Sequence, residues 1–592
     1  MNRKVRIGKK QYEIVVLVGL CLLCNSYKLI FSCFWAEPGL QTPQDVFSTL
    51  YSAAYFAGKD WSVIGKEYSA YYGYGFVTLF SWLYKITNDG LFVYRFILLF
   101  CNLLTAISCV ICYKIADSFN FIKSRKVLYF LCIACTSVQG TGNWGINNEY
   151  ALNVCTWIIL YLLVKLCEPS IQKKQKIKYT LILGIFLIYS CTVHARAVAN
   201  YMLVIFCIVI IGIVGKRIIV NIPLFVGTFF LYIPYKYFTN RLQIELLGEI
   251  NSNSSVIAKL SNGVGGGFSW KMVGTFIISI ITYFHELSVI TAGISIICVA
   301  IVLHSTYCFF KRKLFVNIDE GKRNGILCLL IYSVCGIGGF LVSTCFSVRQ
   351  EIHRGITTQT GFYLRFLTLV RYFMPYVAPM VFTTLVLLMY WDNKKRKEVL
   401  IISMVVLVMC QLVFLFYVFP SIKFTGWSNA IYLPYTWDIE MDRENIYLVG
   451  GVLLLFNLSF FNLWLFRKKN WIGICIVLLV FAVGGNVYRY THQVRTIKQF
   501  ELVDGGYAYL CREKNPKTIY IVEELEAEED DESVLTTYYF LYQLLLPNMR
   551  IVPGEPPKGS EDILILSNNP AVIENYENYE IIQLDNNEWL LR

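Results

Sequence analysis

The sequence predicts an all-α polytopic membrane protein of about thirteen transmembrane helices, with flat helices in its outer loops and a small α/β domain at its C-terminal end. Three observations predict it. Of 592 residues, 56% are hydrophobic and only 16% charged, where soluble domains carry roughly a quarter charged residues; the mean hydropathy is +0.53. Apolar stretches of about 20 residues, each enough to cross roughly 30 Å of hydrocarbon, recur along the chain. Charge is also segregated. Residues 501–592 hold 19 of the 40 acidic groups and 6 of the 53 basic ones, a net −13, which leaves +26 on residues 1–500.

This composition excludes a soluble globular protein, and aromatic residues at 16% exclude a disordered one. The shift from a basic, apolar body to an acidic tail divides the chain near residue 490. Residues 1–490 form a membrane domain and 491–592 an acidic outer domain. The basic excess lies in short loops between spans, so no nucleic-acid partner is implied.

Spans are expected at 14–35, 91–114, 127–142, 150–166, 179–195, 198–215, 218–235, 287–310, 325–347, 371–391, 399–419, 446–466 and 471–488. The first follows Arg3, Lys4, Arg6, Lys9 and Lys10 and is too long for a signal-peptide core, so it reads as an anchor. Alternate loops then carry the cations: Lys123, Arg125 and Lys126; Lys173, Lys174, Lys176 and Lys178; Lys216 and Arg217; Lys311, Arg312 and Lys313; Lys394 to Lys397; Arg467, Lys468 and Lys469. By the positive-inside rule the N-terminus is cytoplasmic and the tail outside; the Lys-, Ile- and Asn-rich composition with thin outer loops suggests a multi-pass protein of a bacterial plasma membrane.

Of 20 cysteines, all but Cys511 lie in or beside apolar segments. The spacing of Cys21/Cys24, Cys109/Cys112 and Cys132/Cys135 puts each pair on one helical face, as small buried hydrophobes rather than a disulfide framework or a metal site. His285-Glu286 alone is too small for a metal site. The tail alternates short apolar runs (Thr518–Val522, Ile551–Val552, Asp562–Leu566, Glu580–Leu584, Glu588–Leu591) with the amphipathic stretch Ser533–Leu546, the pattern of a small α/β domain.

The outer loops hold the chemistry-bearing residues. Val46, Phe47, Leu50, Tyr51, Ala54 and Tyr55 recur at helical spacing after Thr42-Pro43 and before Gly58. This predicts a helix lying flat on the membrane with its apolar face down. Asp45, in its first turn, suits two roles: a capping-box carboxylate with Thr42, or a base at the membrane surface. Glu149 likewise opens the fourth span either as a helix-start carboxylate or as a site residue. His194-Ala-Arg196 occupies the turn between spans five and six, and Arg371-Tyr372 opens span ten. Ionisable groups at membrane depth mark functional sites, and Arg suits bidentate phosphate recognition.

This layout resembles the C superfamily of membrane glycosyltransferases, which includes protein O-mannosyltransferases and the aminoarabinose transferases that modify lipid A. The resemblance rests on Asp45 with its helix and Gly58, the Tyr71-Tyr72-Gly73-Tyr74 stretch, Arg95 opening span two, Glu149, Arg196, and Arg371-Tyr372 with Pro375 and Pro379. Many relatives carry paired acids in the first loop; here Asp45 is followed by Val46. The resemblance implies a polyprenyl-phosphate sugar donor and a lipid, protein or glycan acceptor. Asp45 and Glu149 would be the catalytic pair, and Arg95, His194, Arg196, Arg371 and Tyr372 would surround the donor phosphate. It implies no nucleotide cofactor, and a divalent metal only as an addition at Glu149. Two other readings fit the same layout: a polysaccharide polymerase or ligase using polyprenyl-diphosphate glycan, and a lipid-linked sugar flippase or transporter.

Overall fold

A computed structural model describes residues 2–36, 43–139, 145–249, 293–310, 318–347, 373–391, 393–413, 470–484, 518–524, 532–554, 563–567, 580–585 and 588–591, with scattered positions at 273–291, 416, 487, 491, 556 and 557. The body is helical: α1 (Asn2–Cys24), α2 (Ser26–Phe34), α3 (Pro43–Phe56), α4 (Ser62–Tyr68), α5 (Leu83–Ile86), α6 (Gly90–Phe119), α7 (Arg125–Gln139), α8 (Glu149–Leu166), α9 (Lys173–Val193), α10 (Val198–Gly215), α11 (Ile222–Phe229), α12 (Tyr232–Leu247), α13 (Ile294–Phe310), α14 (Glu320–Ser347), α15 (Met374–Tyr390), α16 (Asn393–Val413) and α17 (Trp471–Leu479).

Among the described residues, α6, α8, α9, α10 and α14 are long and apolar enough to cross a bilayer, and α1 with α2 adds a sixth span broken by 60°. Asn25 makes that break. Its backbone N–H and its side-chain amide both donate to the Cys21 carbonyl, at 3.1 and 2.9 Å, a local side-chain bond that competes with continuation of the helix. The apolar helices α13, α15 and α17 fall on expected spans too, while the span expected at 446–466 lies outside the described residues.

The span expected at 218–235 is not one helix but two, α11 and α12. Pro234 explains the restart. It has no N–H for the Phe230 carbonyl, and its ring clashes with that turn of helix; it is tolerated in the first turn of α12. The tight bonds Phe230 N→Gly227 O and Leu231 N→Thr228 O close α11.

The two sets of loops lie at opposite ends. From Gly90, α6 runs about 45 Å, at 1.5 Å per residue, to Asn120, which stops it at φ +51°. At that far end Arg125 and Lys10 pair with Asp117 at 2.7 and 3.2 Å. Arg217 donates to the Glu168 carbonyl and Lys176 to that of Ile218. The described cation-rich loops around residues 120–125, 168–176 and 216–218 thus lie at one end, and residues 43–90, 145–149 and 194–197 at the other.

The tail forms a five-stranded sheet in the order β2-β1-β3-β5-β4, built from β1 (Thr518–Glu524), β2 (Arg550–Pro553), β3 (Ile563–Ser567), β4 (Ile581–Asp585) and β5 (Glu588–Leu591), with helix α18 (Glu532–Leu545) between β1 and β2. β1 lies parallel to β2 and β3; β5 lies antiparallel to β3 and β4. The domain division expected near residue 490 falls outside the described residues.

The tail covers the first loop. The apolar face of α3, expected to rest on lipid, is buried in protein instead: Val46, Phe47, Leu50, Tyr51 and Ala54 share one core with Trp61, Phe540, Ile519 and Ile521. Phe47 stacks on Trp61 with ring centroids 5.3 Å apart and meets Phe540 at 5.2 Å. Trp61 donates its indole N–H to the Pro547 carbonyl at 3.1 Å, and Lys59 donates to Asn548. A Cβ on Gly90 would stand 2.0 Å from the Leu544 carbonyl. Glycine therefore lets the last carbonyls of α18 approach the start of α6 closely.

Packing rather than charge should dominate this contact. Phe540→Ala removes a side chain that is 3% exposed and is expected to cost about 3–5 kcal/mol, read as faster hydrogen exchange in both α3 and α18. Arg550→Ala breaks a half-exposed pair with Asp60 at 3.5 Å and should cost under about 1 kcal/mol. The Ser62 hydroxyl, then the Ser62 backbone N–H and the Arg550 charge, hold the Asp60 carboxyl below its usual value. Its contribution is therefore present above about pH 4 and lost as pH falls through the lowered value. In Arg550→Ala the loss of protection on acidification should shrink.

Candidate active site

The site is assembled where the first loop crosses the turn between α9 and α10. Gly75 donates its N–H to the Thr192 carbonyl (2.8 Å), and Ala195 donates to the Tyr72 carbonyl (3.3 Å). Asn148, just ahead of α8, donates its amide to the Gly73 carbonyl at 3.0 Å. Gly73 lies at φ +121°, and a Cβ there would stand 2.2 Å from the Val193 carbonyl oxygen. Only glycine accepts both the left-handed backbone and that approach.

Tyr72 is the hub of this crossing. Its phenol donates to Asp45 Oδ1 at 2.5 Å, and its ring meets that of His194 edge-on with centroids 6.3 Å apart. Asp45 is half-buried in the first turn of α3. Thr42, its expected capping partner, lies outside the described residues.

His194 ends α9, and its Nδ1 accepts the Arg196 backbone N–H at 3.1 Å, which caps the short turn Ala195–Ala197. That turn aims the guanidinium back at α8. Arg196 Nη2 lies 2.6 Å from Glu149 Oε1 and 2.7 Å from His194 Nε2. Glu149 is 6% exposed and His194 4%. A carboxylate so buried requires a counter-charge, and Arg196 supplies it. A neutral imidazole accepts through one nitrogen only, so His194 receives either the backbone N–H or the guanidinium N–H, and its tautomer follows which.

The remaining residues singled out in the sequence fall differently. Arg95 donates Nε to the Ala36 carbonyl at 2.9 Å, which ties the chain leaving α2 to α6. Arg371 and Tyr372 lie outside the described residues. The helix they precede, α15, places Tyr376 3.1 Å from Asn200 Oδ1, four residues beyond Arg196. His285 and Glu286 are also outside the description.

Among the described residues no three His, Cys, Asp or Glu side chains gather as a metal site requires. The nearest approach to one, Glu149 with His194 at 3.8 Å, has the Arg196 guanidinium between its two members. A divalent cation on that pair would meet a fixed positive charge, so these residues do not fit a metal.

Spacing alone had singled out Asp45, Glu149, His194 and Arg196 but gave Tyr72 and Asn148 no role. Glycines at 73 and 75 flanking an aromatic residue were the available signal, because such spacing marks close backbone approach.

The fold and this crossing define a polytopic membrane protein with a buried acid–arginine cluster where the first loop meets the turn between α9 and α10. No protein-family model and no curated protein matches the sequence. Among solved structures the chain is similar to ArnT, an aminoarabinose transferase, from Cupriavidus metallidurans in the apo state. The two share 11% identity over 98% of each chain, with a TM-score of 0.50. ArnT from the same organism bound to undecaprenyl phosphate is similar at 10% identity over 98% of this chain and 97% of that one, with a TM-score of 0.48. At such identity the likeness establishes the fold.

Gly73→Ala is expected to cost about 2–5 kcal/mol, since backbone strain and overpacking both apply. The readout is a shortened half-life at elevated temperature in detergent. Gly212→Ala, where a Cβ in α10 meets nothing within 4 Å, should leave that half-life equal or longer.

Proposed function

We propose that this protein is an integral-membrane glycosyltransferase that moves a sugar from a polyprenyl-phosphate donor to an acceptor hydroxyl, with inversion at the anomeric carbon. The observation that carries this reading is the link from Asp45 through Tyr72 and His194 to the Arg196–Glu149 pair. In this reading the link orients a carboxylate at the same crossing that carries a cation able to receive a phosphate. By the charge of its loops, the site end and the tail face outward and the N-terminus lies in the cytoplasm; the membrane domain ends near residue 490.

In this mechanism the donor's hydrocarbon lies in the bilayer and its sugar phosphate sits at the outer surface. The acceptor oxygen attacks the anomeric carbon as Asp45 takes its proton, and the bond from that carbon to the phosphate oxygen breaks. Tyr72 holds Oδ1, which fixes the direction of the carboxylate's lone pairs; general-base help of this kind is worth roughly 10²–10⁴-fold. The leaving phosphate gathers charge at Arg196, with Arg371 as a second cation. A guanidinium carries five N–H donors in a fork, so holding Glu149 and holding a phosphate are compatible. Glu149 keeps Arg196 aimed and orients the sugar, and Arg95 braces the entry to the first loop.

The test is transfer of labelled sugar from polyprenyl phosphate by protein reconstituted in vesicles. Asp45→Asn should lower the rate by about 10²–10⁴-fold with unchanged thermal stability; an undiminished rate would sink the assignment of Asp45. Glu149→Gln should cost both stability and rate, because breaking a buried pair is strongly destabilising, about 3–5 kcal/mol. Chelation with EDTA should leave the rate unchanged, since Arg196 already supplies the positive charge at Glu149. Product of retained configuration, read by NMR, would exclude single displacement.

A further inference from the structure

One helical turn from Arg196, three helices meet at a single buried amide. Asn200 stands four residues after Arg196, in the first turn of α10, and is wholly buried. Its Oδ1 accepts the Tyr332 hydroxyl of α14 at 2.8 Å and the Tyr376 hydroxyl of α15 at 3.1 Å. Its Nδ2 has no partner among the described residues, so these two bonds are what orient the amide. Both phenols are buried as well. A gap in α14 seats the Tyr376 ring: a Cβ on Gly336 would stand 2.4 Å from its Cδ1. Phe340 packs on the same ring with centroids 5.5 Å apart.

The turn that carries Arg196 runs into α10 without a hinge. Ala197 and Val198 both hold right-handed helical dihedrals, at φ −67°, ψ −9° and φ −53°, ψ −32°. Whatever fixes Asn200 therefore fixes the Arg196 backbone. From the loop side the turn is held by the bond from Ala195 to the Tyr72 carbonyl, at 3.3 Å; the amide joint holds it from the side of the bundle. α14 also packs against α8, the helix that opens with Glu149, so it is a common reference for both members of the ion pair. Hydrogen bonds between helices in a bilayer add little stability, because the unfolded chain in the membrane finds partners too. An amide that accepts two phenols there sets register more than it adds strength. We propose that Asn200, with Tyr332 and Tyr376, is a positioning residue for the Arg196 guanidinium. The joint sets the height and rotation of α10 at which that group meets both Glu149 and a donor phosphate. The phosphate rests on the glycosyltransferase reading; the position of Arg196 rests on geometry alone.

The test follows Arg196 in the full chain in vesicles, by two readouts. The first is modification by phenylglyoxal, located by mass spectrometry of the peptides. In Asn200→Leu, Arg196 should react about 2–10-fold faster, the worth of one hydrogen bond lost from its hold, while Arg95 on α6 keeps its wild-type rate. The second is transfer of labelled sugar. The donor KM should rise by up to about 100-fold, the scale for a group misplaced by about 1 Å, with the acceptor KM unchanged. Tyr376→Phe, and Gly336→Ala, which displaces the Tyr376 ring, should act in the same direction and by less; they decide the matter if Asn200→Leu does not fold. A packing role alone would shrink the active fraction, so kcat would fall with both KM values unchanged, and Arg95 and Arg196 would react faster together. That result overturns the proposal, as does an unchanged Arg196 reactivity and donor KM in all three variants. Wild-type protein that transfers no sugar would count against the glycosyltransferase reading instead, and the Arg196 modification rates would still decide whether the joint positions it.

Discussion

The approach of the Tyr72–Gly75 backbone to the end of α9 governs everything else at this end of the molecule. Two hydrogen bonds and one glycine at φ +121° press two stretches of chain together, and a third bond, from Asn148, ties the crossing to the start of α8. Neither stretch could hold its functional side chains alone. Asp45 sits on a short helix in a loop, and Arg196 on a three-residue turn. Their orientation comes from the crossing: Tyr72 reaches Asp45 on one side, and its carbonyl pins the turn that carries Arg196 on the other. Buried charge follows the same logic. Glu149 can be buried only with a cation beside it, and Arg196 can be delivered there only because His194 caps its turn.

A second layer supports the first. The tail packs its helix α18 against α3, so the helix bearing Asp45 is held between the membrane body and the sheet. Phe47 is one position from Trp61 and Phe540 in space and two residues from Asp45 in sequence. The hydrogen bond from Trp61 to Pro547 and the meeting of α18 with Gly90 extend the contact along α4 and α6. The α3 helix is therefore an interior element of this end of the molecule, and its orientation relative to Glu149 is fixed by protein on both sides.

Much of this was legible in the sequence. Hydropathy placed α6, α8, α9, α10 and α14 within a few residues, because a spanning helix must satisfy its backbone internally and stay apolar for its whole length. The tail strands were legible from short apolar runs. What was not legible has physical reasons. The break at Asn25 lies within one expected span and the restart at Pro234 near the end of another, and an apolar run read by its length records neither. The α3 face looks like a membrane-lying face, since an apolar stripe does not record whether lipid or another part of the chain covers it. The partner of Asp45 is 27 residues away and that of Glu149 47 residues away; such pairings are set by the crossing, which local spacing does not encode.

The Trp61–Pro547 bond spans 486 residues of sequence, and this separation bears on how the protein is made. A ribosome extending the chain at about 5–20 residues per second exposes Phe47 and Trp61 roughly 25–100 s before the segment that covers them exists. During that interval the bilayer surface is the nearest cover for the α3 face. The helix thus meets lipid as a passing stage of biogenesis and leaves it when the tail docks. Completion of the Asp45 side of the site is accordingly among the last events of synthesis, so the membrane helices are in place before the tail closes over that end.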